Sequence, residues 1–361
     1  MDLLKNDILQ ALRTVEDPDL KQDLVTLGMI QDLVVADGQV HFTLVLTTPA
    51  CPLQEVLKKA CTVAIHRDVA SDLVVHIALK AQVTSSRTTV PSLPKVKNII
   101  AIASGKGGVG KSTIAVNVAV ALAQRGAQVG LLDADIFGPS IPTMLGCAQD
   151  RPKVVEVAGK KYLVPLEKYG IRMLSMGLLA PADDAMVWRG PMASKALRQL
   201  LGDSDWGELD YLLVDLPPGT SDLHLTLVQA VAVTGAVIVT TPQKIALIDA
   251  RKGLAMFRKQ PINVPVLGIV ENMAYYTPED LLDDTYHPFG RQGGRALAAQ
   301  QEVPFLGEVP LINSIREGGD DGTPAVLHQG RAAAFLGDVA AALAQQVAIR
   351  NARLPPTQRV G

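Results

Sequence analysis

Cysteine is scarce. There are three in 361 residues, an odd number with no paired spacing, which excludes a disulfide framework. Neither sign of charge is in excess: 34 Lys and Arg stand against 36 Asp and Glu, a formal net of −2. Without a long basic run, the chain lacks the electrostatic footprint of a nucleic-acid or anionic-membrane binder, so neither partner is expected. A long unbroken hydrophobic run is also missing, because the stretch from Leu223 to Val239 is interrupted by Thr226, Gln229, Thr234 and Gly235. That pattern predicts a helix, a turn and a strand rather than a membrane span. The segment Met1 to Gln10 mixes acids into an amphipathic pattern and carries no apolar core of a signal peptide, so a cytoplasmic protein is expected.

What is present is enough apolar sequence for a sizeable core, 48% of the chain, and a length that accommodates two domains. Thr84 to Pro94 combines hydroxyl residues with two prolines and reads as a linker. The expected division is a small α+β domain at 1–83, a linker at 84–96, an α/β domain at 97–352 and a loose tail at 353–361. In the first domain, helices are predicted over Asp7 to Val15 and Pro52 to Ile65, and strands over Val40 to Leu46 and Asp72 to Leu79. Beyond the linker, strand patterns at 128–132, 171–175, 211–214, 236–240 and 266–270 alternate with helical ones, and 331–352 closes as a helix. Such alternation predicts a doubly wound, mostly parallel sheet.

The segment from Ile99 to Thr113 is an apolar strand running into a glycine-rich loop and then an apolar helix. Gly105, Gly110, Lys111 and Ser112 satisfy GxxxxGK[ST], the loop whose amides wrap phosphates, whose lysine reaches the β- and γ-phosphates and whose hydroxyl ligates magnesium. Its nucleotide-binding residues are Gly105, Lys106, Gly107, Gly108, Val109, Gly110, Lys111, Ser112 and Thr113. In a parallel sheet, acids placed just after strands converge on the same phosphates. Two places qualify: Asp133 and Asp135 in Leu131-Leu-Asp-Ala-Asp135, and Asp215 in Leu212-Leu-Val-Asp-Leu-Pro-Pro-Gly219. Ser112 and Asp215 are the expected magnesium ligands, and Gly219 supplies an amide positioned to sense the γ-phosphate. Asp133 is open to a second reading, as a residue that merely caps a turn.

Lys106 turns the loop into Gly-Lys-Gly-Gly-Val-Gly-Lys-Ser-Thr, which resembles the deviant Walker A loop of nitrogenase iron protein, the Min and Par positioning ATPases and the Mrp iron–sulfur carriers. The resemblance implies that Lys106 reaches the nucleotide of a dimeric partner, where a cation stabilises the transferring phosphoryl group much as an arginine finger does. It also implies that Asp135 orients the attacking water with Asp133 in support, and that Asn272, helped by backbone around Pro310 and Leu311, reads adenine. No Asn-Lys-x-Asp guanine reader follows Val270, so ATP is favoured over GTP.

Within that group the chain resembles the Mrp/NBP35 family of iron–sulfur cluster carriers. The resemblance rests on Leu132 to Leu145, Trp188 to Met192, Val214 to Asp222, Thr241-Pro-Gln243, Val270-Glu-Asn-Met273 and Ser314 to Gly319. The first domain is similar to the MIP18 type through Asp17-Pro18, Leu27-Gly28 and Leu46 to Pro52. Together these imply a homodimer that binds and hydrolyses ATP with Mg2+, holds a [4Fe–4S] cluster and passes it to apoproteins. One departure stands out. Family members place a CxxC pair shortly after Glu-Asn-Met, but here Pro278 and Leu281 occupy those positions, and Asp283, Asp284 and His287 nearby read as an acidic loop tip. Of the remaining cysteines, Cys61 and Cys147 read as core. Cys51 precedes Pro52 at an expected helix start, where the dipole would favour a thiolate, so it is the candidate cluster ligand. Three readings follow: a cluster carrier, an ATP-driven assembly adaptor without its own cluster, and a Min- or Par-like positioning ATPase.

Overall fold

The run Asn98 to Ala103 is buried on both faces, as the centre of a parallel sheet requires, and it forms the strand Val96–Ser104. The computed structural model describes residues 2–88, 93–157, 159–179, 190–277 and 285–360. Its main sheet has eight strands in the order Leu166–Lys168, Ile171–Ser175, Val129–Asp133, Leu209–Asp215, Val96–Ser104, Gly235–Thr240, Val266–Tyr276 and Phe305–Leu311. All neighbours are parallel except the first pair, so the carboxyl ends of seven strands face one way. The expected strands are all present. Phe305–Leu311 was not expected, because Pro304 and Pro310 bracket it, and it takes the sheet edge, where proline is tolerated.

Helices cover both faces. Lys111–Gln124 and Arg331–Arg353 pack on one face through Ile114, Val118, Leu336 and Val347. Gly190–Gly202, Asp222–Ala230, Lys244–Arg258 and Gly293–Gln300 pack on the other through Leu197, Leu227, Leu254 and Leu297. Arg331–Arg353 is, by length and composition, apolar enough to cross a membrane. It is instead a core helix, with Leu336, Val339, Ala340, Leu343 and Ala344 buried against the sheet.

The N-terminal domain joins helices Asp2–Leu12 and Gln54–Asp68 to a three-stranded sheet ordered Ile30–Ala36, Gln39–Leu46, Val74–Ala81. Ile30–Ala36 was missed because Gln31 and Asp32 break its apolar alternation. Asp37 and Gly38 at φ 49° and 73° make the tight hairpin turn after it, and an Asp-Gly pair is the local signal that would have located it. The domain docks on the α/β domain: Tyr211 Oη donates to Thr48 Oγ1 at 3.1 Å, and Gln345 Nε2 donates to both Asp19 carboxylate oxygens at 2.8 Å.

The tail is not loose. Thr357 pairs with the linker, its N–H donating to Ser86 O at 3.2 Å while Thr88 N–H donates to Thr357 O at 2.8 Å, and Val360 N–H reaches Val228 O at 3.0 Å. Arg350 and Arg87, both buried, hold the same junction through carbonyls of Ser86 and of Leu93 and Val96 respectively.

Candidate nucleotide site

The phosphate loop joins the central strand to a helix that begins at Lys111, with Gly110 as its cap at φ 81°. Amides at this helix start and the helix dipole favour an anion. Gly105 is obligatory for packing: a Cβ there would lie 2.1 Å from the carbonyl carbon of Asp249, so only glycine lets the loop rest on helix Lys244–Arg258.

Lys111 is buried, and its Nζ donates to Asp215 Oδ1 at 2.8 Å and lies 3.7 Å from Asp135 Oδ2. Ser112 Oγ donates to the other Asp215 oxygen at 2.6 Å. Three residues named from sequence thus meet in one cluster, with Asp135 at its edge. Hydroxyl and carboxylate oxygens at this separation are the hard donors that Mg2+ takes, so Ser112 and Asp215 fit that ion. Burial pushes the Asp215 carboxyl up, opposed by Lys111 and the Ser112 hydrogen bond. Gly219, at φ 82°, spends its amide on Ser104 O at 2.8 Å.

Asp133 is wholly enclosed, accepting from Ser175 Oγ at 2.9 Å and from Asp135 N–H at 3.1 Å. It orients the Asp135 backbone, which keeps both sequence readings, support and turn cap, in one residue. Burial first, and the Asp215 charge second, push its carboxyl up to about 8. The native state therefore holds a proton that the unfolded chain releases near the ordinary value of 3.8, and this group subtracts stability as pH rises from there through about 8. Asp133→Asn keeps the acceptor for the Asp135 N–H and turns an amide donor towards Ser175 Oγ, without the charge. Its melting temperature is expected to equal or exceed wild type at pH 8, with the advantage shrinking as pH falls towards 5; a lower one at pH 8 would mean the carboxylate is needed ionised. Ser175 escaped the sequence reading, since only the strand register that sets Ser175 opposite Asp133 reveals it.

Lys106 is exposed, and no ion pair involves it among the described residues. Beyond Thr113, a cavity of about 610 Å³ opens. Asn272, Met273, Pro310 and Leu311 line it together with Ser140, Thr143 and Arg316. Asn272 Nδ2 donates to Val109 O at 2.9 Å, tying that lining to the phosphate loop.

The cluster ligands fare differently. Pro278, Leu281, Asp283 and Asp284 lie outside the described residues. Among the described residues, no three His, Cys, Asp or Glu side chains gather as a metal site. Cys61 and Cys147 are buried, and burial pushes their thiols up to about 12 and about 11, as core cysteines. Cys51 is half-buried, but its expected activation fails. The helix starts at Gln54 with Leu53 as cap, not at Pro52, and burial, reinforced by Asp17 and Asp19, pushes the Cys51 thiol up rather than down.

Residues 95–348 match the family described as NUBPL iron-transfer P-loop NTPase, and residues 5–78 match one described as iron-sulfur cluster assembly protein. A Synechocystis protein named iron-sulfur cluster carrier protein is 50% identical over 349 residues, 96% of this chain and 97% of the relative. A Deinococcus radiodurans protein of the same name is 48% identical, over 98% of this chain and 99% of the relative. Among solved structures, a nucleotide-binding protein of Archaeoglobus fulgidus in complex with ADP is similar with a TM-score of 0.57 and 36% identity, covering 66% of this chain and 91% of its own. The cell division ATPase MinD of Pyrococcus furiosus is similar with a TM-score of 0.50 and 28% identity, covering 67% of this chain and 96% of its own.

Proposed function

The chain belongs to the NUBPL iron-transfer P-loop NTPase family, and from that premise we propose that it is an ATP-hydrolysing carrier that takes up an iron–sulfur cluster and delivers it to apoproteins as a homodimer. The observation that carries this reading is near full-length similarity, through both domains, to proteins named as cluster carriers. The geometry of the phosphate site supports the ATPase half.

When triphosphate enters the loop, Lys111 exchanges its contact with Asp215 for the β- and γ-phosphates, and the amides of the loop wrap them. Ser112 directly, and Asp215 through water, would hold Mg2+, which when bound would neutralise phosphate charge. Asp135 orients a water for in-line attack on the γ-phosphorus; the bond to the bridging oxygen breaks, ADP leaves with that electron pair, and the water proton passes to a phosphate oxygen or to Asp135. Lys106, exposed and without an ion pair among the described residues, supplies the second cation across the dimer. ATP rather than GTP is the substrate because no Asn-Lys-x-Asp guanine reader starts at Asn272: Met273 and Tyr275 stand where its lysine and aspartate would be. Closure of the dimer couples hydrolysis to the state of the cargo.

Cluster loading falls to Cys51, the one cysteine of three that is not fully buried, paired across the dimer and completed by ligands of the recipient. Its raised thiol must lose a proton on binding, so loading should increase with pH. Anaerobic reconstitution with iron and sulfide is expected to give the charge-transfer absorbance of a cluster in wild type and to lose most of it in Cys51→Ala. Equal retention in both would remove Cys51 as a ligand.

A further inference from the structure

Glu271 is a buried carboxyl that takes no part in the phosphate site. It sits at the middle of strand Val266–Tyr276, at the last pairing to strand Gly235–Thr240 and one residue before Asn272, and is 1% exposed. Its Oε2 accepts the amide of Gly294, in the first turn of helix Gly293–Gln300, while its Oε1 is enclosed with no partner among the described residues. Successive side chains of a strand point to opposite faces. Asn272 accordingly enters the phosphate loop at Val109 O, and Glu271 enters the helix on the other face.

The sheet pairs Asn272 with Val309 but gives out directly after it. Its ladder to Phe305–Leu311 loses register between Asn272 and Tyr276, and Met273, directly after it, lies at φ 53° in the left-handed region that a side chain disfavours. Such a backbone holds only where its surroundings over-determine it. Beside the Val309 pairing and the Val109 contact of Asn272, Glu271 adds a hold from the opposite face, on a helix packed too closely for a side chain at its start. A Cβ on Gly294 would lie 2.9 Å from Glu271 Oε2, and one on Gly293 would lie 2.8 Å from Pro242 O and 2.5 Å from Leu247 Cδ1. Burial also pushes the Glu271 carboxyl up, so glutamine reproduces its shape and its acceptor.

We propose that Glu271 is a positioning residue for nucleotide recognition: by anchoring the middle of its strand to helix Gly293–Gln300 it sets Asn272 at the mouth of the base cavity. The proposal rests on the reading of this cavity as the ATP site. A misplaced Asn272 weakens binding without touching Lys111, Ser112, Asp135 or Asp215, so affinity falls while turnover at saturation persists.

The test is titration of the folded full chain with a fluorescent ATP analogue, together with steady-state hydrolysis and a melting curve. Glu271→Ala is expected to raise Kd and KM about tenfold with kcat within about twofold, and Glu271→Gln to stay close to wild type. Gly294→Ala, which pushes on the same carboxylate from the helix side, should show the same split and serves if Glu271→Ala does not fold. Wild-type binding that Lys111→Ala abolishes secures the site itself. Given that, wild-type Kd in Glu271→Ala and Gly294→Ala, with only a lower melting temperature, overturns the positioning role alone. No binding by folded wild type overturns the site and the proposal together.

Discussion

Lys111→Ala is expected to reduce ATP turnover by on the order of 10³ and to raise the Kd for nucleotide beyond the measurable range. The lysine does two jobs. In the proposed function it is the charge that meets the β- and γ-phosphates, and in this structure it neutralises Asp215, which is 0% exposed. Taking away one partner of a buried pair costs about 3–5 kcal/mol when the other must stay charged. Asp215 has a way out, because burial already pushes its carboxyl up and protonation relieves the unpaired charge. The variant should therefore remain folded below neutral pH and lose stability as pH rises, the direction expected when a native carboxyl holds a proton that the unfolded chain has released. Phosphate release and a fluorescent-nucleotide titration, read beside melting curves at two pH values, check this. Unchanged turnover would mean that the phosphates bind elsewhere.

Lys106→Ala should behave in the opposite way. The side chain is exposed and makes no ion pair or side-chain hydrogen bond among the described residues, so folding and nucleotide affinity should remain close to wild type. A cation delivered across a dimer acts only on the developing charge of the transition state, and kcat is expected to fall on the order of 10³. Mixing Lys106→Ala with Lys111→Ala distinguishes action in trans. In the mixed dimer, the subunit with an intact phosphate loop receives Lys106 from its partner, so activity returns to a fraction of wild type. Normal turnover by Lys106→Ala alone would remove the in-trans role.

The phosphate machinery is legible in the chain because its chemistry is local. Gly105 to Thr113 contains the loop, and Asp135 and Asp215 follow apolar strands whose direction the alternation of strands and helices already implies. Bringing Lys111, Ser112 and Asp215 within hydrogen-bonding reach needed only adjacency of two strands, Val96–Ser104 and Leu209–Asp215. What escaped depended on neighbours distant in sequence. Ser175 matters through the register that faces it to Asp133, and Glu271 through a helix that starts more than twenty residues later. The lining of the base cavity combines segments around Ser140 and Arg316, which belong to the family motifs but whose approach to one another no local pattern predicts. Cys51 shows a different failure. Pro52 suggested a helix start, but the loop Thr48-Pro-Ala-Cys-Pro52 runs on to Leu53, and Cys51 packs against the core of its own domain, so the local dipole argument gives the wrong direction for the thiol. The tail went wrong for a related reason: two prolines and a terminal position read as loose, whereas strand-like pairing with Ser86 and Thr88 ties it down.

Delivery of a cluster is the claim on which the functional reading turns, since an ATP-driven adaptor would share every feature of the phosphate site. The direct measurement is anaerobic: load the protein with iron and sulfide, remove the excess, add an apo-enzyme that needs a [4Fe–4S] cluster, and follow recovery of its activity with and without ATP. A carrier binds about one cluster per dimer, restores the enzyme faster than free iron and sulfide do, and changes its rate of transfer with ATP. Intact ATPase activity with no bound cluster and no restoration would contradict the account, leaving an adaptor that uses ATP without carrying the cluster itself.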